Sequence, residues 1–541
     1  MAMPKPCGRD IRKCHTAPIS SCSWWEKAAL AAHDWKSATA KGTRRFGLIT
    51  TNSLRQTFNR KVLAPHLADP KTGLSLTYAI PDHPWVDAGD GAAVRIAMTV
   101  AEKGRSPGRL LTVTEDVKGV SEADGRLVRF DIQKGKIFAN LRIGADVAGA
   151  EPLKANEGLS TRGVMLFGGG FILTEEQAFA LGLGVDEKAS QVIKQYRNGR
   201  DLLGVSRGLY VIDLVGLTEE QVRRNMPKVY QHVRDNVWPE RQQNNRESRK
   251  RNWWIFGEAL APFRPALETV NRYIVTVETA KHRSFQFLDR QILPDNKLVA
   301  IALDDASILA VLSSRQHVSW SLSAGSWLGV GNDPVYAKSK CFDPFPLPNL
   351  TDAQKTYLRS LGEQLDAHRK DRQAAHPKLT LTQMYNVLEK LRAGDRIEGK
   401  DKEIYDQGLV GILHDLHDQI DAAVADAYGW PADLSDDDIL HHLVDLNRER
   451  AAEEARGHIR YLRPDYQNPA GTAAKPKDEQ GAMDLGPKEA VTKDPWPKSL
   501  PEQIAAVRAV LTAMGGATPE QVARRFARGR ATTVQRLLES L

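Results

Sequence analysis

The chain is 541 residues long, room for about three to four domains of roughly 150 residues each. Hydrophobic residues at 41% and charged residues at 26% exclude wholesale disorder and a collagen-like repeat, and four cysteines exclude a disulfide scaffold. Lys and Arg number 75 against 67 Asp and Glu, and the formal net charge of +8 favours an anionic partner.

Residues 1–22 mix Pro, Gly and Ser with Cys7, Cys14 and Cys22 without any periodicity and read as a disordered leader. Those cysteines form no CxxC pair, so no metal site is expected. With no run of 18 apolar residues and no signal segment, the chain is expected in the cytoplasm and away from membranes. A helix is expected from Trp24 through Leu30, and Arg45 to Thr50 is a short strand. Thr51, Asn52 and Ser53 then supply an N-cap for a helix carrying Leu54, Phe58, Val62 and Leu63 as far as Pro65. Strands follow at Leu74 to Ile80 and Ala93 to Val100, separated by a long turn from Pro81 to Gly91. This order suits one edge of an α/β sheet, with a crossover helix giving a parallel neighbour and a hairpin an antiparallel strand. No strand with a Gly-rich cofactor turn precedes it, so the sequence is expected to begin midway through a domain.

Further strands are expected at Leu110 to Thr114, Lys136 to Ile143, Leu209 to Leu214, Tyr273 to Val277, Val299 to Leu303 and Leu309 to Leu312. Beyond Pro348 the period turns helical, over Thr351 to Arg372, Thr380 to Arg392, Lys402 to Tyr428 and Asp436 to Gly457. Residues 466–499 have a linker composition. Pro501 to Leu541 shows three helical patterns broken at Gly515-Gly516 and Gly529, like a small helix-turn-helix unit.

Three constellations bear on chemistry. Phe167-Gly168-Gly169-Gly170-Phe171 is either a structural turn or a phosphate cradle; a Walker Lys-Ser/Thr pair is absent, and Thr174 to Gln177 looks like an ordinary capped helix start. From Arg223 to Arg251, nine cations (Arg223, Arg224, Lys228, Arg234, Arg241, Arg246, Arg249, Lys250, Arg251) stand against three acids, +6 of the net +8. Tyr230, Trp238, Trp253, Trp254 and the amides Gln242, Gln243, Asn244 and Asn245 are interleaved with them. Arg and Lys neutralise phosphates, and Arg, Asn and Gln forks match base edges; a solvated helix face is the competing reading. Hydrolytic motifs are missing: there is no GxSxG and no HExxH, Asp186-Glu187-Lys188 lies in a helical stretch, and His83, His282 and His317 are lone histidines.

Several segments in order resemble a known family. Phe46 to Arg60 (FGLITTNSLRQTFNR), Tyr78 to Val86 (YAIPDHPWV) and Ala92 to Met98 are similar to later motifs of the MmeI-like, type IIG class I S-adenosylmethionine-dependent adenine-N6 DNA methyltransferases. Arg197 to Asp201, Tyr210 to Asp213, Trp238 to Arg241, Trp253-Trp254, Leu312 to His317 and Cys341 to Pro348 resemble that family's target-recognition domain, and Leu379 to Leu391 and Ala427 to Pro431 its helices. The resemblance covers roughly residues 24–466. It lacks the family's N-terminal motifs, the Phe-x-Gly-x-Gly donor turn and the Asn/Asp-Pro-Pro-Tyr/Phe loop, which implies a truncated or frameshifted gene or one half of a split enzyme.

The resemblance therefore implies an α/β and α+β multidomain protein. A partial Rossmann-like methyltransferase sheet (23–150) is followed by an α+β DNA target-recognition domain (151–348), a helical domain (349–465), the linker (466–499) and the C-terminal module (500–541). The complete family transfers a methyl group from S-adenosylmethionine to adenine N6 in a specific duplex, after flipping the base out. On this chain Trp85 is the candidate for stacking on the base, Thr51 and Asn52 are the candidates for the cofactor side, and the partners are double-stranded DNA and an upstream-encoded methyltransferase half. The alternatives are a non-catalytic DNA-binding specificity subunit and an inactive remnant.

Overall fold

The first layers form because residues 20–135 alternate one amphipathic helix pair with five β-patterned strips. α1 (Ser20–His33) buries Trp25, Ala29 and Ala32, residues four and three apart and hence on one helix face. β1 (Arg45–Thr51), α2 (Thr57–Ala68), β2 (Leu74–Pro84), β3 (Arg95–Lys103), β4 (Gly108–Lys118) and β5 (Arg126–Gly135) follow. This computed structural model describes residues 20–35, 42–55, 57–68, 73–85, 95–118, 126–258, 260, 263–328, 333–471, 494–497, 500–514, 522–523, 525–527 and 533–535. The leader up to residue 19, the turn at 86–94, residues 472–493 of the linker and the glycine breaks at 515–516 and 529 lie outside the described residues. By its contacts the chain divides into residues 1–477 and 478–541.

The sheet order is β1-β3-β2-β4-β5. β3 runs antiparallel to both β1 and β2, so those two are parallel with β3 between them. The crossover helix thus brings β2 back one place away from β1, because the returning hairpin strand takes the slot where a direct parallel neighbour was expected. β4 joins β2 in parallel at Tyr78–Arg109 and Ala79–Leu110 and pairs antiparallel with β5. α1 and α2 pack on the sheet over a core that includes Leu54, Leu63, Leu76, Ala97 and Leu141. Arg45 Nε donates to Glu102 at 2.8 Å and Arg44 lies 2.7 Å from the same carboxylate, pinning the start of β1 to the end of β3.

Residues 160–301 contribute β6 (Ser160–Arg162), β7 (Ile172–Leu173), α3 (Glu175–Ala180), α4 (Glu187–Val192), β8 (Ile193–Arg197), α5 (Gly199–Leu203) and β9 (Tyr210–Ile212). Then come α6 (Glu219–Asn225), α7 (Pro227–Asn236), α8 (Trp238–Gln242), α9 (Glu247–Arg251), α10 (Arg264–Glu268), β10 (Arg272–Val277), β11 (Gln286–Asp289), β12 (Leu293–Pro294) and β13 (Leu298–Ile301). They form two four-stranded sheets, β12-β8-β9-β7 and β11-β10-β13-β6. The chain continues as α11 (Ala306–Ser313), α12 (Arg315–Ala324), β14 (Ser326–Leu328), β15 (Asp333–Val335), α13 (Lys338–Cys341), α14 (Asp352–Ala375), α15 (Leu381–Ala393), α16 (Gly399–Gly408), α17 (Val410–Tyr428) and α18 (Asp436–Ala455). One core joins Phe285, Val299 and Trp320 to Leu365, Leu388, Leu416 and Leu443, so these helices share their apolar interior with the sheet before them.

Several expected elements are corrected. The first helix begins at Ser20, inside the segment read as a leader. α2 runs through Pro65 to Ala68. Lys136 to Ile143 is not a strand: Ile137 makes a single bridge to Leu76, and the chain then turns at Leu141 (φ 56°), with Asn140 Oδ1 accepting the Arg142 N–H at 3.1 Å. The strand lies just upstream, as β5. Leu309 to Leu312 is helical, inside α11, where Asp305 caps the first turn; a short run buried on all sides has no period to separate helix from strand. The single helix expected over Lys402 to Tyr428 is two, because Leu409 adopts φ 44° and ψ 51°. No helix among the described residues is long and apolar enough to cross a membrane.

Candidate nucleic-acid interface

The ends of β1 and β2 come together at one edge of the first sheet, since the strands are parallel and register places Thr51 opposite Ile96 and Pro84 opposite Arg95. In sheets with crossover helices this carboxyl edge is where ligands are met. Trp85 follows β2 directly and is 45% exposed. Behind it Asp82 draws the edge together: its Oδ1 accepts from Asn52 Nδ2 at 3.0 Å and Arg95 Nε at 2.7 Å, and Arg55 lies 3.6 Å from Oδ2. Burial holds the Arg55 guanidinium below its ordinary pKa, with Asp82 acting against it. The Thr51 hydroxyl sits 2.6 Å from that of Ser53. Thr51, Asn52 and Trp85 are therefore neighbours on one edge, with one Asn52 amide N–H given to Asp82 and the Thr51 hydroxyl paired with that of Ser53.

The basic segment forms four consecutive short helices, α6 to α9. Thr218 and Gln221 make a reciprocal capping box at the start of α6. Val222, Met226, Val229, Val233 and Val237 then repeat at three- and four-residue steps and are buried, which turns Arg223, Arg224, Lys228 and Arg234 to solvent. Trp253 is buried in the same core and Trp254 packs against it, its Nε1 donating to the Leu217 carbonyl at 2.9 Å. The interleaved tryptophans at 253 and 254 are thus packing residues, while Trp238 is partly exposed beneath Arg234, 5.2 Å from its ring centre.

The nine cations separate by environment. Arg241 is 1% exposed, and its Nη2 donates to the carbonyls of Leu166 at 2.8 Å and Ile255 at 2.9 Å. The expectation that Arg241 reads DNA is corrected: a buried fork bonded to backbone cannot meet a base edge, and burial lowers its pKa. Lys250 lies 3.0 Å from Glu247. Arg223, Arg224, Lys228, Arg234, Arg246, Arg249 and Arg251 have no ion pair among the described residues and all reach solvent. Gln243 is exposed, Gln242 half-buried, and Asn244 spends its Oδ1 on the Arg246 N–H at 2.9 Å while its amide N–H groups stay available.

The glycine turn and the basic helices prove to be one structure. Gly169–Phe171 is a single 3-10 turn, a Cβ on Gly170 would collide with the Asn236 carbonyl, and His232 Nε2 is 3.1 Å from the Gly170 carbonyl. Gly170 thus serves close packing against α7, as the structural-turn reading has it, while a Cβ on Gly169 would meet nothing within 4 Å. Phe167 takes the left-handed conformation (φ 50°) and carries the Arg249 guanidinium 3.5 Å above its ring centre. Sequence reasoning missed this pair, since 82 residues separate its members and no local pattern announces it.

The remaining candidates are structural. Asp186 caps α4 by accepting the N–H groups of Lys188 at 2.9 Å and Ala189 at 3.2 Å. His317 lies 2.9 Å from the Tyr336 hydroxyl, and burial brings its pKa down to about 3, so it stays neutral. His282 sits against Asn386 at 2.8 Å. Burial pushes the Cys341 thiol up to about 12. Among the described residues no group of His, Cys, Asp and Glu is arranged to hold a metal.

No protein-family model and no curated protein matches the chain. Among solved structures, the type IIL restriction-modification enzyme MmeI, determined in complex with DNA, aligns at a TM-score of 0.60 and 17% identity over 80% of this chain and 52% of its own. The type IIG restriction endonuclease BpuSI aligns over 69% of this chain and 47% of its own at a TM-score of 0.24 and 10% identity, too distant to bear weight. The first likeness shows a shared fold, and this chain spans about half the length of that enzyme.

Proposed function

We propose that the chain is the DNA-recognising part of a restriction-modification adenine-N6 DNA methyltransferase, and that the α6–α9 segment is its main contact with the duplex. One observation carries this reading: seven cations in 29 consecutive residues reach solvent without a carboxylate partner. A solvated face stabilised on its own account would neutralise such charge with neighbouring acids, as Arg448 does with Asp445 at 2.9 Å and Arg359 with Asp305 at 2.7 Å. Unpaired guanidinium and ammonium groups are what phosphate neutralisation uses. The fold shared with a DNA-bound restriction-modification enzyme and the exposed Trp85 at the carboxyl edge support the same assignment.

S-adenosylmethionine would be the methyl donor of the complete enzyme. Of the candidates for the donor side, Asn52 gives one amide N–H to Asp82 and keeps its Oδ1, and Thr51 shares an exposed hydroxyl pair with Ser53; no step is derived through the donor. With both side chains partly engaged, a second reading stands beside the first, a specificity subunit without catalysis of its own. Duplex binding by fluorescence anisotropy across a salt series, run beside incorporation of label from tritiated S-adenosylmethionine, tests both. The expected result for the full chain is binding whose log–log salt slope is about −0.9 per phosphate contact, without incorporation. Salt-insensitive binding, or none, rejects the DNA-recognition reading; incorporation into a specific duplex rejects the second reading.

A further inference from the structure

Within the duplex-binding reading, on which this inference rests, the cations of α6–α9 do not do the same work. Arg223, Arg224, Arg246 and Arg251 stand in solvent with nothing stacked against them, a disposition that serves phosphate contact, where any orientation of a positive charge suffices. Arg249 differs. Its guanidinium lies 3.5 Å above the Phe167 ring, and its side-chain N–H groups have no acceptor among the described residues. A guanidinium stacked on a ring keeps its planar fork in one orientation while the in-plane edge stays open to a bidentate acceptor.

The ring beneath it is held with equal care. Phe167 is a bulky residue with φ 50°, a region such residues rarely enter. It is 36% exposed, so the ring is packed over most of its surface and still reaches solvent. The ring also rests on Gly257, where any Cβ would collide with it. The turn is anchored on both flanks, by Arg241 on the Leu166 carbonyl and by Gly170 packed on Asn236. Backbone in this conformation persists only where the surrounding packing over-determines it, and here that packing seats the ring under Arg249.

We propose that Arg249, oriented by Phe167, reads a guanine in the major groove, donating to its O6 and N7, and that Phe167 is the positioning residue that fixes the fork before DNA arrives. Pre-setting the fork spares its ordering cost on binding, which raises discrimination more than overall attraction.

The test selects binding sequences from a random duplex pool with the full chain, and measures salt slopes by anisotropy for the parent and for Arg249→Lys, Phe167→Leu and Phe167→Tyr. Arg249→Lys keeps the charge and loses the fork, so a guanine preference at one position should fall by about 5- to 150-fold while the salt slope stays at the parental value. Phe167→Leu should lose the same preference, and Phe167→Tyr, which restores a ring, should keep it. If Phe167→Leu does not fold, Arg249→Lys and Phe167→Tyr decide. The proposal is overturned if Arg249→Lys keeps every base preference, or if the parent binds duplexes without any preference. A parent that binds no duplex removes the DNA-recognition reading itself, and the inference falls with it.

Discussion

Changing Arg241 to Ala separates a residue of the fold from a residue of the interface, because the composition of its neighbourhood points to the second and its burial against backbone carbonyls to the first. Truncation leaves the Ile255 carbonyl without its donor, at about 1–3 kcal/mol, and the Leu166 carbonyl with only the Gly257 N–H at 3.4 Å. It also opens a void where the side chain packed near Phe171, 5.7 Å from that ring centre. Relief opposes this loss: Nε and Nη1 are buried without partners, so the cation is only partly compensated in the parent. The net expected destabilisation is about 2–4 kcal/mol, read as a lowered denaturant midpoint by circular dichroism. Arg246→Ala, at an exposed position of the same segment, should stay within about 0.5 kcal/mol of the parent. Duplex affinity of Arg241→Ala should fall only in proportion to the fraction unfolded. A variant with the parental midpoint and a tenfold weaker duplex affinity would refute the reasoning, since the guanidinium would then have to reach DNA.

Removing Arg246 and Arg251 together should flatten the log–log salt slope by about 1.8, so that between 50 and 200 mM salt the parent loses about 12-fold more affinity than the double variant; an unchanged slope would mean these side chains only face water. Trp85→Ala, at a side chain 45% exposed, should lower the denaturant midpoint modestly with the chain still folded, yet reduce methyl transfer in the complete enzyme; normal turnover, or loss of the fold, ends the base-stacking role. Asp421 accepts the Arg315 N–H at 2.7 Å, but burial raises its pKa from 3.8 to about 6. The folded chain therefore holds a proton that the unfolded chain has released. The contribution of Asp421 is fully present below pH 4, lost as pH rises through about 6, and a cost of the order of 2–3 kcal/mol above it. Asp421→Asn should accordingly be more stable than the parent at pH 8 and no more stable at pH 4; equal midpoints at both pH values would show that the carboxylate is adequately solvated.

Local chemistry was legible wherever the signal is carried by residues close in sequence. Thr351 with Gln354 and Thr380 with Gln383 form capping boxes at the starts of α14 and α15, within a few residues of where the helical period begins. The charge run from Arg223 to Arg251 is visible as composition, because net charge survives any fold. The strand-helix-strand-strand order of residues 45–103 is likewise a matter of local period. Position is another matter. Whether an arginine in that run faces DNA or backbone carbonyls depends on what packs against it, and Arg241 is buried by Leu166 and Ile255, 75 and 14 residues away. The helix at α11 is set by neighbours on every side, and the break at Leu409 comes where Gly408 lets its backbone pack against Met384. Insertion of β3 between β1 and β2 follows from hairpin pairing, which no single strand encodes. The stack of Arg249 on Phe167 joins side chains 82 residues apart, with the ring packed on Gly257. What the sequence determined alone was the kind of element and the sign of the charge, both set by near neighbours; which side chains are left free to act was decided by contacts between segments far apart in the chain, and those form only on folding.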